Sequence, residues 1–244
     1  MRIAQITDLH IGKVGEDTHG VDVRANFLKV LEAACAVHPD ELMLSGDLCF
    51  DKGEAEIYDW IRPHLEKLGL PYRLISGNHD DPQLMAKAFD LDPLLKSGEL
   101  YYRADYGAFP ALFLDTTPYI VSATQLNWLA EQLAAHSGDW IIFMHHPPLL
   151  AGVKYMDDHY PLKNHAEVLA LLQEQPGRIH VFCGHYHVDR VVSAGNVTVY
   201  VTPSCFFQIH PYAEAFTVDH YRIGFREIEI RDGHLLTTVR YLES

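Results

Sequence analysis

Cysteines, basic residues and long hydrophobic runs are all scarce in this sequence, and each scarcity argues against a class of protein. The four cysteines, Cys35, Cys49, Cys183 and Cys205, form no CxxC pair and are too few for a disulfide framework in 244 residues. We expect them to be reduced and mostly buried, as in an intracellular protein. No run approaches the about 18 apolar residues of a membrane-spanning helix, and residues 1–10 lack the apolar segment of a cleavable signal. We therefore expect a cytoplasmic protein.

The charge balance is strongly acidic. The 19 Lys and Arg residues stand against 33 Asp and Glu residues, which gives a formal net charge of −14. Polynucleotides and anionic membrane surfaces bind clustered Lys and Arg, so the composition argues against both as partners. A small anionic substrate stays compatible with it, provided that a local positive group holds the anion. Histidine is abundant, at 16 residues, so a single HxH pair would be weak evidence of function.

Short apolar segments alternate with amphipathic segments along most of the chain. The apolar segments predict strands at 2–7, 41–45, 72–76, 111–115, 139–144 and 179–183. The amphipathic segments predict helices at 23–38, 55–68 and 124–136. Further strands are predicted after residue 190, where Asp232-Gly233 indicates a hairpin. This alternation is typical of an α/β protein with a mostly parallel sheet, to which the tail adds antiparallel strands.

Local signals refine this organisation. Asp22 is placed to cap the first helix, and Pro63 predicts a kink or a restart in the second. We find neither a repeat nor a linker, and we predict one domain over residues 1–244. Residues 150–165 form the longest irregular segment and are a candidate lid or pocket loop. Residues 190–244 form the strand-rich C-terminal part.

Groups that can bind a metal ion follow five of the predicted strands. They are Asp8 and His10 in ITDLH, Asp47 in SGDL, Asn78 in GNHD, His145 in FMHHPP, and His185 and His187 in GHYH. Because the carboxyl ends of strands in an open α/β sheet share one edge, these residues are expected to converge. Imidazole and carboxylate ligands without a thiolate favour zinc, iron or manganese, and a carboxylate such as Asp47 can bridge two ions.

Each motif also has an ordinary structural explanation. GD and GNHD are typical of turns, Asp8 and His10 fit a strand-to-loop turn, and the histidines before Pro147 fit a rigid turn. Either His145 or His146 can be the ligand; we favour His145 because it is nearer the strand end. The combination favours metal binding, since five chance turns would all have to fall at strand ends.

In this order, D-x-H, GD, GNHD, HHPP and GHxH resemble the motifs of the calcineurin-like metallophosphoesterase superfamily, over residues 1 to about 190. The segments ITDLH, SGDL, GNHDD, FMHHPPL and FCGHYH are similar to those of bacterial class III cyclic nucleotide phosphodiesterases and their glycerophosphodiesterase relatives. The segment from Thr202 to Leu242 is similar to the end of the cyclic nucleotide group. The resemblance implies an α/β fold, a four-layer α/β/β/α sandwich with mixed sheets.

The resemblance also implies a role for each matching residue. The first of two transition-metal ions would bind Asp8, His10, Asp47 and His187. The second would bind Asp47, Asn78, His145 and His185. His79 would be the general acid, and Asp80 would orient it.

The implied activity is hydrolysis of small phosphodiesters, with 3',5'-cyclic nucleotides such as cyclic AMP first. A hydroxide that bridges two ions about 3.5–4 Å apart would attack phosphorus. The alternatives are a glycerophosphodiesterase, a broad phosphoesterase or phosphonate-ester hydrolase, and a non-catalytic binding scaffold of the same fold. A homo-oligomer is expected by analogy alone. Phe206, Phe207 and Tyr155 are candidates either for stacking on a nucleobase or for core or dimer-interface packing.

Overall fold

The computed structural model of the chain describes residues 1–107 and 109–242. Its α-helices are Val23–Ala36 (α1), Ala55–Glu66 (α2), Pro82–Ala88 (α3), Ala123–Ala134 (α4), Lys154–His159 (α5) and His165–Gln173 (α6). A short 3₁₀ helix spans Asp92–Leu94. The strands of the first half are Arg2–Ile6 (β1), Glu41–Ser45 (β2), Tyr72–Ile75 (β3), Leu95–Lys96 (β4), Glu99–Leu100 (β5), Tyr102–Tyr106 (β6) and Phe109–Leu114 (β7). Those of the second half are Trp140–Met144 (β8), Ile179–Cys183 (β9), Arg190–Ala194 (β10), Val197–Val201 (β11), Gln208–Ile209 (β12), Val218–His220 (β13), Gly224–Arg231 (β14) and His234–Tyr241 (β15).

Two mixed sheets form the centre of the fold. The first has the strand order β15-β14-β1-β2-β3, and the second has the order β10-β11-β9-β8-β7-β6. Strands β1, β2 and β3 are parallel in the first sheet, as are β7, β8, β9 and β11 in the second. The other pairs in these sheets are antiparallel and lie toward the edges. The four-layer sandwich implied by the resemblance is confirmed, whereas the single mostly parallel sheet read from the alternation is wrong.

Burial explains why the two sheets face each other. Every residue of β2 and of β8 is buried, as expected for strands covered on both faces. The edge strand β15 alternates between exposed and partly buried residues. Polar contacts also cross between the sheets: the Gln5 amide donates to the Cys183 carbonyl, and Arg226 donates to Thr202 and to the Val201 carbonyl.

The structure differs from the predictions at several elements. Helix α2 runs through Pro63 without a restart; its buried face, with Ile61 and Leu65, fixes it against the core despite the missing backbone donor. Residues 150–165 contain α5, which the irregular composition did not predict. Helices α3 and α6 and strand β6 were also missed. The predicted cap is confirmed, because the Asp22 carboxylate accepts the Ala25 N–H, and Asp232-Gly233 joins β14 to β15.

The cysteines largely follow the prediction. Within the described part of the chain all four thiols are free; three are buried and Cys35 is partly exposed. None of the described helices combines the length and the apolar character needed to cross a bilayer.

Candidate metal centre

The seven predicted ligands meet where strands of both sheets end. Residues 8, 10, 47 and 78 follow β1, β2 and β3 of the first sheet, and residues 145, 185 and 187 follow β8 and β9 of the second. Ligand atoms lie within 4.8 Å of one another in four groups: Asp8, His10 and His187; Asp8, Asp47 and His145; His10, Asp47 and His79; and His145, His146 and His185. Asn78 lines the same cavity as His10 and Asp47.

Asp8 and Asp47 lie at the centre of this cluster. The Nε2 atom of His187 is 3.3 Å from Oδ1 of Asp8 and 3.1 Å from Nε2 of His10. On the other side, Oδ2 of Asp47 is 3.1 Å from Nε2 of His145 and 3.7 Å from Nε2 of His10. Asp47 therefore lies between the two groups of imidazoles, where a carboxylate could contact two ions.

The backbone turns that carry these side chains are unusual. Eleven non-glycine residues in the described ranges have positive φ, and five of them are predicted ligands: Asp8, His10, Asp47, His185 and His187. Side chains with a Cβ rarely adopt this conformation, and such residues cluster at functional sites, where the surroundings hold them in place. All five residues follow the carboxyl ends of β1, β2 or β9.

Backbone carbonyls fix the histidine rings. Nδ1 of His145 lies 2.9 Å from the Ser45 carbonyl, and Nδ1 of His187 lies 3.0 Å from the Phe207 carbonyl. Nε2 of His185 lies 2.9 Å from the Tyr160 carbonyl. Because a carbonyl can only accept, each of these nitrogens carries the proton. The opposite nitrogen then presents a lone pair to a metal ion.

Three buried atoms test whether the residues present fit metal ions. Oδ1 of Asn78, Nε2 of His145 and Nε2 of His146 are buried and have no hydrogen-bond partner among the described residues. An orphaned buried polar atom costs about 1–3 kcal/mol, so a cluster of them indicates a missing partner. Oxygen and imidazole donors suit zinc, iron or manganese. The donor set therefore fits transition-metal ions.

Charges in the cluster are coupled. Burial alone would raise the pKa of Asp47. The nearby imidazole of His145 outweighs the effect of burial, so the pKa of Asp47 lies well below its ordinary value. Burial opposes the charge of His145 too, yet the Asp47 carboxylate raises its pKa to about 9. Burial lowers the pKa of His10 and that of His185 to about 3. Both rings are therefore neutral at pH 7, as metal ligands must be.

The predicted partnership of His79 and Asp80 differs in the structure. Nδ1 of His79 lies 3.0 Å from the carbonyl of Asp51. The buried Asp80 carboxylate instead accepts the N–H groups of Leu48 and Gly77, together with other donors. In the structure the Asp80 carboxylate therefore contacts these donors rather than the His79 ring, and its role in orienting His79 stays a prediction. Asp80 ties together the two loops that carry Asp47 and His79, because its position after β3 faces backbone donors rather than the ring. Burial and the Asp47 carboxylate raise the pKa of Asp80 to about 6.

The two neighbouring histidines after β8 face different surroundings. Nε2 of His145 is near both carboxylates, 3.1 Å from Asp47 and 3.8 Å from Asp8. Nδ1 of His146 lies 2.7 Å from the hydroxyl of Thr116, and its ring packs against His185 at 4.2 Å. This geometry is consistent with His145 as the ligand, which stays a prediction. No sequence motif indicated Thr116.

A cavity of about 700 Å³ opens directly over the cluster. Its floor includes His10, Asp47, Asn78, His79, His185 and His187. Its remaining wall is mostly aromatic and apolar and carries one further carboxylate: His19, Phe50, Asp51, Tyr119, Tyr155, Met156, Tyr160, Phe206, Phe207, Ile209 and Phe216. Of this wall, the sequence had indicated only Phe206, Phe207 and Tyr155. Of the other residues, Met156 lies in α5 and Ile209 in β12, and the rest lie in loops; the composition of these segments carries no functional pattern.

Comparison with known proteins places this site in a family. The sequence model of the calcineurin-like phosphoesterases matches residues 1–189. A probable cyclic nucleotide phosphodiesterase of Fibrobacter succinogenes is 37% identical over 241 residues, covering 99% of this chain and 94% of the relative. The glycerophosphodiester phosphodiesterase GpdQ of Enterobacter lignolyticus is 31% identical, with 91% and 83% covered.

A solved structure supports the same fold. A dimetal phosphatase from Danio rerio superposes with a TM-score of 0.75 at 14% sequence identity, covering 98% of this chain and 96% of that protein. The prediction of a metal-dependent phosphodiesterase is confirmed by the family match and the names of the relatives. The chain belongs to the calcineurin-like phosphoesterase family.

Proposed function

We propose that this enzyme hydrolyses 3',5'-cyclic nucleotides, with cyclic AMP as the first candidate. The observation that carries the proposal is the composition of the cavity: a polar floor of imidazoles and carboxylates lies beneath a largely aromatic wall. A phosphodiester anion suits the floor, and a nucleobase suits the wall. The name of the Fibrobacter relative, a probable cyclic nucleotide phosphodiesterase, agrees with this substrate class.

The proposed metal ligands are the seven converging residues. Asp8, His10, Asp47 and His187 would hold one ion, and Asp47, Asn78, His145 and His185 the other. When bound, two such ions supply an activated water and positive charge against the phosphate oxygens. The chain's own contribution is positioning: carbonyls orient the rings of His145, His185 and His187, and the buried carboxylates compensate part of the charge.

His79 is the proposed general acid. Its Nδ1 atom is engaged by the Asp51 carbonyl, so Nε2 is the atom left to deliver a proton to the substrate. During hydrolysis, the oxygen of water bonds to phosphorus as one of its protons passes to solvent, and one P–O ester bond breaks. The departing ester oxygen takes the proton of His79, which is later replaced from solvent. Alkoxides leave poorly, so this proton is worth about 10²–10⁴ in rate.

The alternative functions account for fewer features of the site. A glycerophosphodiester is the second candidate, because GpdQ of Enterobacter lignolyticus carries that activity in its name. A glycerol group has no ring that could stack on the aromatic wall. A non-catalytic scaffold would have no need for ligands and acid together. The one-domain organisation, the cytoplasmic location and the homo-oligomer stay predictions.

A turnover panel tests the substrate. The metal-reconstituted protein is assayed in parallel with cyclic AMP, glycerophosphoethanolamine, and nitrophenyl mono- and diesters. We expect the highest kcat/KM with cyclic AMP. A value for cyclic AMP no higher than that for the aryl diester would contradict the proposal.

Replacing His79 tests the acid. In His79→Ala we expect bound metal to be retained and kcat on cyclic AMP to fall about 10²–10⁴-fold. The nitrophenyl diester should lose far less, because nitrophenolate leaves without a proton. Equal losses on both substrates would rule out the acid role, and metal analysis of the same preparation controls for damage to the site.

A further inference from the structure

We infer that the base of the cyclic nucleotide binds at an aromatic corner of the cavity formed by His19, Phe50 and Phe206. This inference rests on the proposed function and deepens it, since it names the part of the wall that selects a nucleoside. The corner is assembled from three separate loops, after β1, β2 and β11, and all three rings line the cavity.

The rings of the corner contact one another. The centroids of His19 and Phe50 lie 5.4 Å apart in an edge-on arrangement, and those of Phe50 and Phe206 lie 6.0 Å apart, also edge-on. The rings of His19 and Phe206 are nearly parallel, with an angle of 12° and centroids 6.1 Å apart. Phe206 is 2% exposed and forms the buried side of the corner, whereas Phe50 is half-buried and His19 is exposed. Phe50 and His19 therefore offer the accessible ring surface.

The position of the general acid selects this corner. In a 3',5'-cyclic diester both ester oxygens belong to the same ribose, so the sugar lies beside the acid whichever bond breaks. The ring of His79 lies 5.0 Å from that of His10, which lies 5.2 Å from Phe206. The loop that holds Nδ1 of His79 through Asp51 also carries Phe50, the preceding residue. A base attached to that ribose therefore reaches the corner first.

A second aromatic group adjoins the corner, because Phe207 packs against Phe206 with ring centroids 4.2 Å apart. Phe207 contacts Phe216 at 5.7 Å, and Phe216 contacts Tyr155 at 5.8 Å. This group adjoins His187 through Phe207. It has no ring packed against His10 or His79 among the described contacts. We therefore assign the base to the corner and use Phe216 to test the other position.

The experiment compares two ligands that differ only in the base. Binding of AMP and of ribose 5-phosphate to the metal-reconstituted protein is measured by calorimetry, together with kcat/KM for cyclic AMP and glycerophosphoethanolamine. The variants are Phe50→Leu, which keeps an apolar side chain without a ring, and His19→Ala. The matched control is Tyr212→Leu, an exposed aromatic of the segment after β12 that does not line the cavity. Phe216→Leu tests the second group.

Stacking of one base on an aromatic side chain corresponds to a roughly 5- to 150-fold change in affinity. We expect Phe50→Leu to weaken the binding of AMP by a factor in this range. The affinity for ribose 5-phosphate and the kcat/KM for glycerophosphoethanolamine should stay within about twofold of the wild type. His19→Ala should act in the same direction. Tyr212→Leu should leave all four values unchanged.

Three results would overturn the assignment. In the first, wild-type protein binds AMP no tighter than ribose 5-phosphate. In the second, Phe50→Leu loses the same factor of affinity for both ligands. In the third, only Phe216→Leu loses the preference for AMP over ribose 5-phosphate. The proposed function fails separately. If the wild type does not hydrolyse cyclic AMP but Phe50→Leu still loses affinity for AMP selectively, the base site is supported and the assignment of the substrate is wrong.

Discussion

Gly184 offers a sharp test of how closely the strand ends are packed around the site. It lies between β9 and His185, and its backbone N–H donates to the His145 carbonyl at 3.1 Å. A methyl group at this position would lie 2.1 Å from the hydroxyl oxygen of Thr7 and 2.5 Å from Oδ2 of Asp8. Neither distance is tolerated by a real Cβ atom. In Gly184→Ala the Asp8 carboxylate therefore has to move.

The size of the effect follows from these distances. Ordinary contact begins near 3.4 Å, so the carboxylate must retreat by about 1 Å, a displacement that can cost about 10²-fold in rate. Overpacking of this kind also destabilises a protein by about 1–3 kcal/mol. We expect kcat/KM to fall about 100-fold, bound metal to decrease, and the urea midpoint to drop.

Gly195→Ala is the matched control. Gly195 lies in the turn between β10 and β11 with φ +61°, and its added methyl group would meet only the Gln173 side chain, at 3.4 Å or more. Strain at positive φ costs about 1–2 kcal/mol, so this variant loses stability with kcat/KM unchanged. Activity is measured on bis(4-nitrophenyl) phosphate, metal by elemental analysis and stability by urea unfolding. Gly184→Ala with full metal content and kcat/KM within threefold of the wild type would refute the reasoning.

Two further predictions follow from buried groups. His145→Gln should lose metal and more than about 100-fold in turnover, whereas His146→Gln should lose about 10–100-fold, as for residues that support a ligand; equal metal loss in both, by elemental analysis, would contradict the preference for His145. Burial raises the pKa of the Cys49, Cys183 and Cys205 thiols. A thiol reagent at pH 8 should therefore label at most Cys35 in native protein and all four in urea; more than one native label would contradict the buried positions.

The convergence of the predicted ligands could be predicted because strand ends are local features of the sequence. An apolar run followed by Asp8 and His10, or by His185 and His187, can be read without knowing which strands pair. The partners of those side chains could not be read this way. The carbonyls of Ser45 and Tyr160 belong to residues far from the histidines they orient, and backbone atoms carry no residue identity.

The local nature of sequence patterns also explains where the structure differs from the sequence expectations. Alternation of strands and helices does not say where one sheet ends and the next begins, so two sheets were read as one. Asp80 was assigned to its sequence neighbour His79, but the turn after β3 directs its carboxylate toward Leu48 and Gly77. The wall residues His19 and Phe50 face the cavity through loop conformation alone, and His19 holds a φ of 55°.

Five of the predicted ligands have positive φ, a feature of the site that composition does not reveal. Each such residue costs on the order of 1 kcal/mol or more, and the orphaned atoms of Asn78 and His145 add to the burden. These costs fall at the ends of strands that are buried along their length, as in β2 and β8. Because the strands cannot relax without exposing the core, the strained turns hold the donor atoms within reach of one another. The core of the sandwich therefore carries the free-energy cost of a preorganised site.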